Sequence, residues 1–94
     1  MAHGYTPRKE DYLVRLRRIE GQVRGLQRLI EDDTYCIDVL TQISAVRSAL
    51  NSVAIGLAED HIGHCVIDAA KQSDEAGGEK VAEVTATIAR LVKS

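Results

Sequence analysis

The sequence has no tryptophan or phenylalanine, only one proline and only two cysteines among its 94 residues. Because few residues interrupt helices and the apolar content is mostly Leu, Ile, Val and Ala, the composition favours an all-helical fold. No run of 18 apolar residues occurs, which argues against a membrane span. The first residues also lack the apolar segment of a signal peptide, so we expect a cytoplasmic protein.

The chain length predicts a single domain over residues 1–94, in which residues 1–6 form a flexible tail. Apolar residues at helical spacing predict three helices separated by a tight Asp-Asp-Thr connection and by a polar, glycine-containing loop. The expected bounds are 7–32 for the first helix, 35–70 for the second, 71–78 for the loop and 79–93 for the third.

Three metal-ligand residue types lie on one side of the second helix. At about 100° per residue, His61 and Cys65 both fall within about 20° of Cys36 around the helix axis. The rest of this stripe is mostly apolar, although Arg47 lies near its middle. Such a stripe indicates a surface that packs against another helix.

The distance between these residues predicts a dimer. Cys36 precedes His61 by 25 residues, or about 38 Å along a straight helix at ~1.5 Å per residue, so one helix cannot bring both to one ion. The same distance excludes an intrachain disulfide between the cysteines. Two antiparallel copies would place Cys36 beside the His61 and Cys65 turn of the partner, with the two-fold axis near Leu50.

Two thiolates and one imidazole form a soft, three-ligand set that suits Cu(I) better than hard cations. Zinc in a structural site normally takes a fourth ligand, for which His64 is a poorly aimed candidate. The competing interpretation is two buried structural cysteines and a histidine with ordinary partners. Catalysis finds little support, because the sequence has no glycine-rich phosphate loop, no G-x-S-x-G and no cluster of facing carboxylates.

The charge is unevenly distributed along the chain. Residues 1–30 carry seven basic and three acidic side chains, whereas residues 31–94 carry five basic and eleven acidic ones. The basic segment predicts a polyanionic partner, and its preference for arginine favours phosphate recognition. Gly21 and Gly25 lie among these arginines and suggest that a helix or a phosphate strand approaches the backbone closely. The candidate nucleic-acid contacts are Arg15, Arg17, Arg18, Arg24, Arg28 and Arg47.

The sequence resembles the copper-sensing repressor family that is often called CsoR/RcnR-like. The resemblance covers nearly the whole chain and rests on RLRRIEGQVRGLQRLI at 15–30, YCIDVLTQISAVRSAL at 35–50 and HIGHC at 61–65. It implies a three-helix protomer without a helix-turn-helix, an antiparallel dimer and a flat homotetramer. It also implies that the effector-free protein binds operator DNA, and that an effector at the intersubunit site releases it.

Within this family, the Cys–His–Cys pattern is that of the Cu(I) sensors and falls here on Cys36, His61 and Cys65. The resemblance further implies roles around the metal for Tyr35, which precedes the first cysteine, and for Glu83 on the third helix. It matches Arg15 to a DNA-binding position, whereas another position that is basic in some members is Ser52.

We therefore expect a Cu(I)-responsive repressor of copper-resistance genes. One alternative is a persulfide-responsive or nickel/cobalt-responsive repressor of the same family. Nickel and cobalt sensors use a ligand near the N-terminus, for which His3 is the candidate here. The other alternative is a metal-storage or chaperone protein that binds no DNA.

Overall fold

The structure is a computed structural model that describes residues 3–93. A 3₁₀ turn at Thr6–Arg8 leads into α1 (Lys9–Glu31), and α2 (Cys36–Asp60) follows a short connection. A π-helical segment at His61–Val66 joins α2 to α3 (Ile67–Gln72) without a break in the helical path. The last helix is α4 (Asp74–Lys93). Within the described residues the chain thus has three continuous helical stretches and no strand, and the all-α prediction is confirmed.

The chain divides into two compact units, and the division falls inside α2. We call residues 8–54 the α1 unit, and residues 1–7 together with 55–94 the α4 unit. The predicted single domain over residues 1–94 remains a prediction. None of the helices within residues 3–93 has both the length and the apolar character needed to cross a lipid bilayer.

The core of the α1 unit forms where α1 packs against the first part of α2. Its buried side chains are Tyr12, Ile19, Val46 and Val53, with Leu26 and Ala49 packed against them. The early residues of α1 share a groove with 49–53, and its later residues share one with 34–42, so the two helices run antiparallel. Val46 and Val53 are buried in this core, so α1 covers the face of α2 that carries them.

The connection from α1 to α2 is a Schellman motif. The Asp33 N–H donates to the Ile30 carbonyl (3.2 Å) and the Thr34 N–H donates to the Leu29 carbonyl (3.0 Å). Asp33 occupies the left-handed position, with φ 53°, where glycine is the usual residue. This turn reverses the chain and delivers Cys36 as the first residue of α2.

The prediction of a polar loop over 71–78 is wrong, because only Ser73 separates α3 from α4. The Ser73 hydroxyl accepts a hydrogen bond from the Ala76 N–H (3.0 Å) and caps α4, whose first turn carries Asp74 and Glu75. Gly77 is buried against Ala70 inside the helix. The glycine that suggested a loop therefore serves close packing between α3 and α4.

Candidate metal-sensing and nucleic-acid-binding sites

The three predicted ligands lie at the first residue of α2 and in the π-helical segment that follows it. Cys36 is the first residue of α2 and has an exposed side chain, while His61 opens the π-helical segment and the half-buried Cys65 lies within it. Both cysteines are free thiols. Cys36 belongs to the α1 unit, and His61 and Cys65 belong to the α4 unit. Among residues 3–93, no three His, Cys, Asp or Glu side chains gather closely enough to hold a metal ion.

The π-helical segment is a feature that the sequence did not predict. It widens the helix over His61–Val66, so that hydrogen bonds span five residues instead of four. The angular arithmetic used above for a regular helix consequently holds as far as His61 but not through to Cys65. Segments of this kind often occur at functional sites, because they change the direction in which side chains project.

Glu83 of α4 is the acidic neighbour of His61. The His61 Nε2 atom lies 3.8 Å from the Glu83 Oε1 atom, and the Lys80 Nζ atom lies 3.8 Å from Oε2 of the same carboxylate. The His61 side chain is 29% exposed and that of Glu83 is 59% exposed. A distance of 3.8 Å is too long for a direct hydrogen bond, so the contact is an electrostatic one. Because Nε2 faces Glu83, Nδ1 is the ring nitrogen left for another partner.

The other residues considered near the ligands have different surroundings. Tyr35 is exposed and precedes α2, where its carbonyl accepts hydrogen bonds from the Asp38 and Val39 N–H groups. His64 lies 3.5 Å from the Asp68 carboxylate on the next helical turn. This carboxylate gives His64 a partner separate from the Glu83 that faces His61.

The first described residues, from His3 to Thr6, form a turn beside the end of α2. The His3 N–H donates to the Thr6 hydroxyl (2.8 Å), and the His3 ring stacks on Tyr5. A side chain at Gly4 would collide with the Asp60 carbonyl, so the backbone approaches the end of α2 closely. The flexible tail predicted over 1–6 includes Met1 and Ala2, which lie outside the described residues.

Large apolar side chains on the side of α2 that carries Cys36 are exposed in the described part of the α1 unit. Leu40 is 58% exposed and Leu50 is 44% exposed, whereas Val39, Val46 and Val53 on the adjacent face of the helix are at most 8% exposed. Ile43 is also exposed. We call Leu40, Ile43 and Leu50, which all lie in the α1 unit, the α2 seam. A row of large apolar side chains of this kind is typical of an interface with another molecule.

The predicted nucleic-acid contacts do not share one face. Arg15 and Arg18 lie side by side on α1 and line a groove against α2. We call this the arginine groove, and its lining residues are Arg15, Arg18, Ile19, Gln22, Ala49, Ser52 and Val53. At about 100° per residue, Arg17, Arg24 and Arg28 fall on the opposite side of α1, and Arg47 lies along the α2 seam.

The two sides of α1 also differ in charge. Arg24 forms an ion pair with Glu20 across one helical turn, with an N–O distance of 3.0 Å. By contrast, no acidic side chain lines the arginine groove. Sequence reasoning missed Gln22 there, although helical arithmetic places it within about 60° of both Arg15 and Arg18. The expected close approach to Gly21 and Gly25 is not made within the described chain, since nothing lies within 4 Å of a side chain built at either position.

Comparison with known proteins matches residues 8–90 to the family model described as metal-sensitive transcriptional repressor. The copper-sensing transcriptional repressor RicR of Mycobacterium tuberculosis is 59% identical over 93 residues, covering 99% of this chain and 97% of that protein. The copper-sensing transcriptional repressor CsoR of Bacillus subtilis is 46% identical, covering 98% of this chain and 89% of that protein.

The fold also matches a solved structure. The crystal structure of the copper-sensing repressor CsoR with Cu(I) from Geobacillus thermodenitrificans NG80-2 aligns with a TM-score of 0.83 at 41% sequence identity. The alignment covers 93% of this chain and 88% of that one.

Proposed function

Because the chain belongs to the metal-sensitive transcriptional repressor family, we propose that it is a Cu(I)-responsive repressor acting in the cytoplasm. The copper-free protein binds operator DNA, and Cu(I) lowers its DNA affinity and relieves repression of copper-resistance genes. Two relatives that align over at least 98% of this chain are named copper-sensing repressors, which favours copper over other effectors. The proposal involves no catalytic step.

Cys36, His61 and Cys65 are the proposed Cu(I) ligands. Two thiolates and one imidazole are soft donors, and Cu(I) accepts a three-coordinate site. Within residues 3–93, none of these side chains belongs to a cluster of three potential metal ligands. We therefore place Cys36 of one protomer beside His61 and Cys65 of its partner. His61 would use Nδ1 for the metal, because Nε2 faces Glu83.

The exposed α2 seam is the observation that carries this proposal. Its large side chains are uncovered in the chain, and the helix that presents them begins at one proposed ligand and ends immediately before another. An antiparallel partner would cover both seams and bring two identical ligand sets together, one at each end of the paired helices. Dimers of this kind would then pair into a homotetramer that presents several copies of the basic α1 to DNA.

Glu83 couples the metal to the rest of the molecule in this proposal. A carboxylate beside the second nitrogen of a metal-bound imidazole fixes the orientation of the ring. If His61 turned to hold Cu(I), its 3.8 Å separation from Glu83 would change, and the carboxylate would pass that change to α4. Tyr35 is assigned a supporting role beside Cys36.

Operator DNA is the proposed partner of α1. Arg15 and Arg18 line a groove without acidic residues, which suits them to phosphate contacts. Arg17, Arg24, Arg28 and Arg47 complete the proposed set, and the Arg24 contribution is reduced by its ion pair with Glu20.

A DNA-binding titration with four effectors tests the proposal. Under anaerobic conditions, the copper-free protein should bind a promoter fragment, and Cu(I) should weaken that binding at about one equivalent per protomer. Zn(II), Ni(II) and a persulfide donor, added in parallel, should have little effect. Cys36→Ala should keep DNA binding and lose the Cu(I) response.

Each alternative predicts a different result in the same titration. Release by persulfide that survives His61→Ala would identify a thiol sensor, and release by Ni(II) would identify a nickel or cobalt sensor. Copper binding without binding to any promoter fragment at low salt would indicate storage or transfer of the metal. Cu(I)-dependent release by the Cys36→Ala protein would contradict the assigned ligand set.

A further inference from the structure

We propose that Gln22 reads an adenine edge in the operator and is thereby a specificity-determining residue of the arginine groove. This inference rests on the proposed DNA-binding function and extends it from electrostatic attachment to base recognition. Its carboxamide is neutral, so the charge pattern that identified the arginines could not identify it.

Gln22 lies beside both arginines of the arginine groove. Gln22 lines the arginine groove together with Arg15 and Arg18, and it also lines the adjoining groove that continues towards Gln42. Gln22 is therefore the residue at which the two grooves meet. Like the two arginines, it is exposed. A ligand held by the arginines would consequently pass directly over its carboxamide.

The two grooves that meet at Gln22 differ in charge. The arginine groove contains two guanidinium groups, one amide and the Ser52 hydroxyl, and its remaining lining residues are apolar. The adjoining groove contains the carboxylate of Asp38 and no basic residue. A polyanion is therefore attracted to the part of α1 that carries Arg15 and Arg18, and Gln22 marks the end of this attractive segment.

Arginine and glutamine side chains recognise different parts of a DNA duplex. Guanidinium groups bind phosphates strongly, and such contacts fix the position of a protein on the duplex without reading its sequence. A glutamine amide both donates and accepts, so it forms two hydrogen bonds with the adenine N6 and N7 atoms in the major groove. With Arg15 and Arg18 on the phosphates, Gln22 is the neighbouring group suited to base recognition.

The experiment compares Gln22→Ala with Gln27→Ala, both in the full-length chain. Gln27 is an exposed glutamine on the same helix, about 140° around from Gln22. The probe is a duplex selected by the wild-type protein from a randomised library, and a shuffled duplex of equal length reports non-specific binding. A second probe set replaces each adenine in turn with 7-deazaadenine, which lacks the N7 acceptor. Cu(I) stoichiometry and thermal unfolding report whether each variant is intact.

Gln22→Ala should weaken binding to the selected duplex by ~10-fold, while binding to the shuffled duplex stays unchanged. One 7-deazaadenine substitution should weaken the wild-type protein and Gln27→Ala but leave Gln22→Ala unaffected. Equal loss of affinity for both duplexes would assign Gln22 to the DNA backbone and overturn the proposal. Wild-type affinity in Gln22→Ala would also overturn it. So would sensitivity of the wild-type and Gln22→Ala proteins to the same 7-deazaadenine substitutions. A wild-type protein that enriches no sequence would instead contradict the proposed repressor function itself.

Discussion

The His61 Nε2 atom faces the Glu83 carboxylate across 3.8 Å, which connects the π-helical segment to α4. Glu83 is also 3.8 Å from Lys80 on its own helix, so the carboxylate has two cationic or hydrogen-bonding neighbours. A group shared in this way is able to change its preferred partner when one of them moves. A substitution at Glu83 is therefore expected to separate Cu(I) binding from its effect on DNA affinity.

Glu83→Gln should uncouple Cu(I) binding from DNA release. The change keeps the size of the side chain but removes the charge that favours the imidazole N–H. Cu(I) should still bind at one equivalent per protomer, whereas the ratio of DNA affinities without and with Cu(I) should fall by about a factor of 5 or more, because allosteric coupling is typically 1–3 kcal/mol. Fluorescence anisotropy with labelled operator measures both affinities.

Glu79→Gln is the matched control, because it removes a charge from an exposed position one turn earlier on α4. It should retain the wild-type ratio. If the Glu83 and Glu79 variants respond alike, the contact with His61 has no part in coupling.

Leu50→Glu should prevent dimer formation. The residue belongs to the α2 seam and is 44% exposed in the chain, so a charge there would be buried only on association. Loss of about 1.5–3 kcal/mol of apolar burial per protomer predicts a dimer dissociation constant raised ~100-fold or more. Sedimentation velocity measures the constant, and Cu(I) binding should weaken in parallel.

Ser48→Glu places the same charge on an exposed surface of α2 about 120° from Cys36 and should leave the dimer intact. A dimeric Leu50→Glu protein would show that the partner occupies another surface.

Arg15→Ala combined with Arg18→Ala should weaken DNA binding and make it less dependent on salt. Each lost phosphate contact reduces the slope of log affinity against log salt by about 0.9. Arg24→Ala should change the slope less, because that guanidinium already pairs with Glu20. Binding isotherms at several salt concentrations provide the slopes, and equal slopes for all variants would contradict the assignment of the groove to phosphates.

Much of the helical architecture follows from apolar spacing alone. The spacing predicted three helices, and the described residues form three continuous helical stretches. It did not predict which apolar residues are buried, since Leu16 and Val23 of α1 are each 40% exposed, whereas Tyr12 and Ile19 are buried. When a helix has apolar residues on adjacent faces, spacing does not determine which face is kept for another molecule.

The residues of the candidate metal site could be predicted from the sequence, but the backbone geometry that positions them could not. Cys36, His61 and Cys65 are identified by chemistry and spacing, but the π-helical segment that contains two of them has no sequence pattern of its own. Gln22 was missed because a neutral amide contributes nothing to a charge pattern. The loop at 71–78 was predicted wrongly because glycine was interpreted as a helix end, whereas Gly77 is required by packing.

That packing predicts opposite effects for two adjacent glycines of α4. A side chain at Gly77 would place its Cβ atom 2.9 Å from the Ala70 Cα and Cβ atoms, whereas nothing lies within 4 Å of one built at Gly78. Gly77→Ala should therefore lower the free energy of unfolding by about 1–3 kcal/mol through overpacking. Gly78→Ala should raise it by about 0.5–1 kcal/mol, because alanine loses less backbone entropy in a helix.

Urea denaturation of the copper-free protein at fixed concentration measures both changes under the same conditions, which matters because association contributes to the stability of an oligomer. The two substitutions add the same methyl group to neighbouring positions, so differences in helix propensity cancel and the opposite signs arise from Ala70 alone. A stabilised Gly77→Ala protein would mean that α3 and α4 are not closely packed at this point, and the position of Glu83 relative to His61 would then lose its structural support.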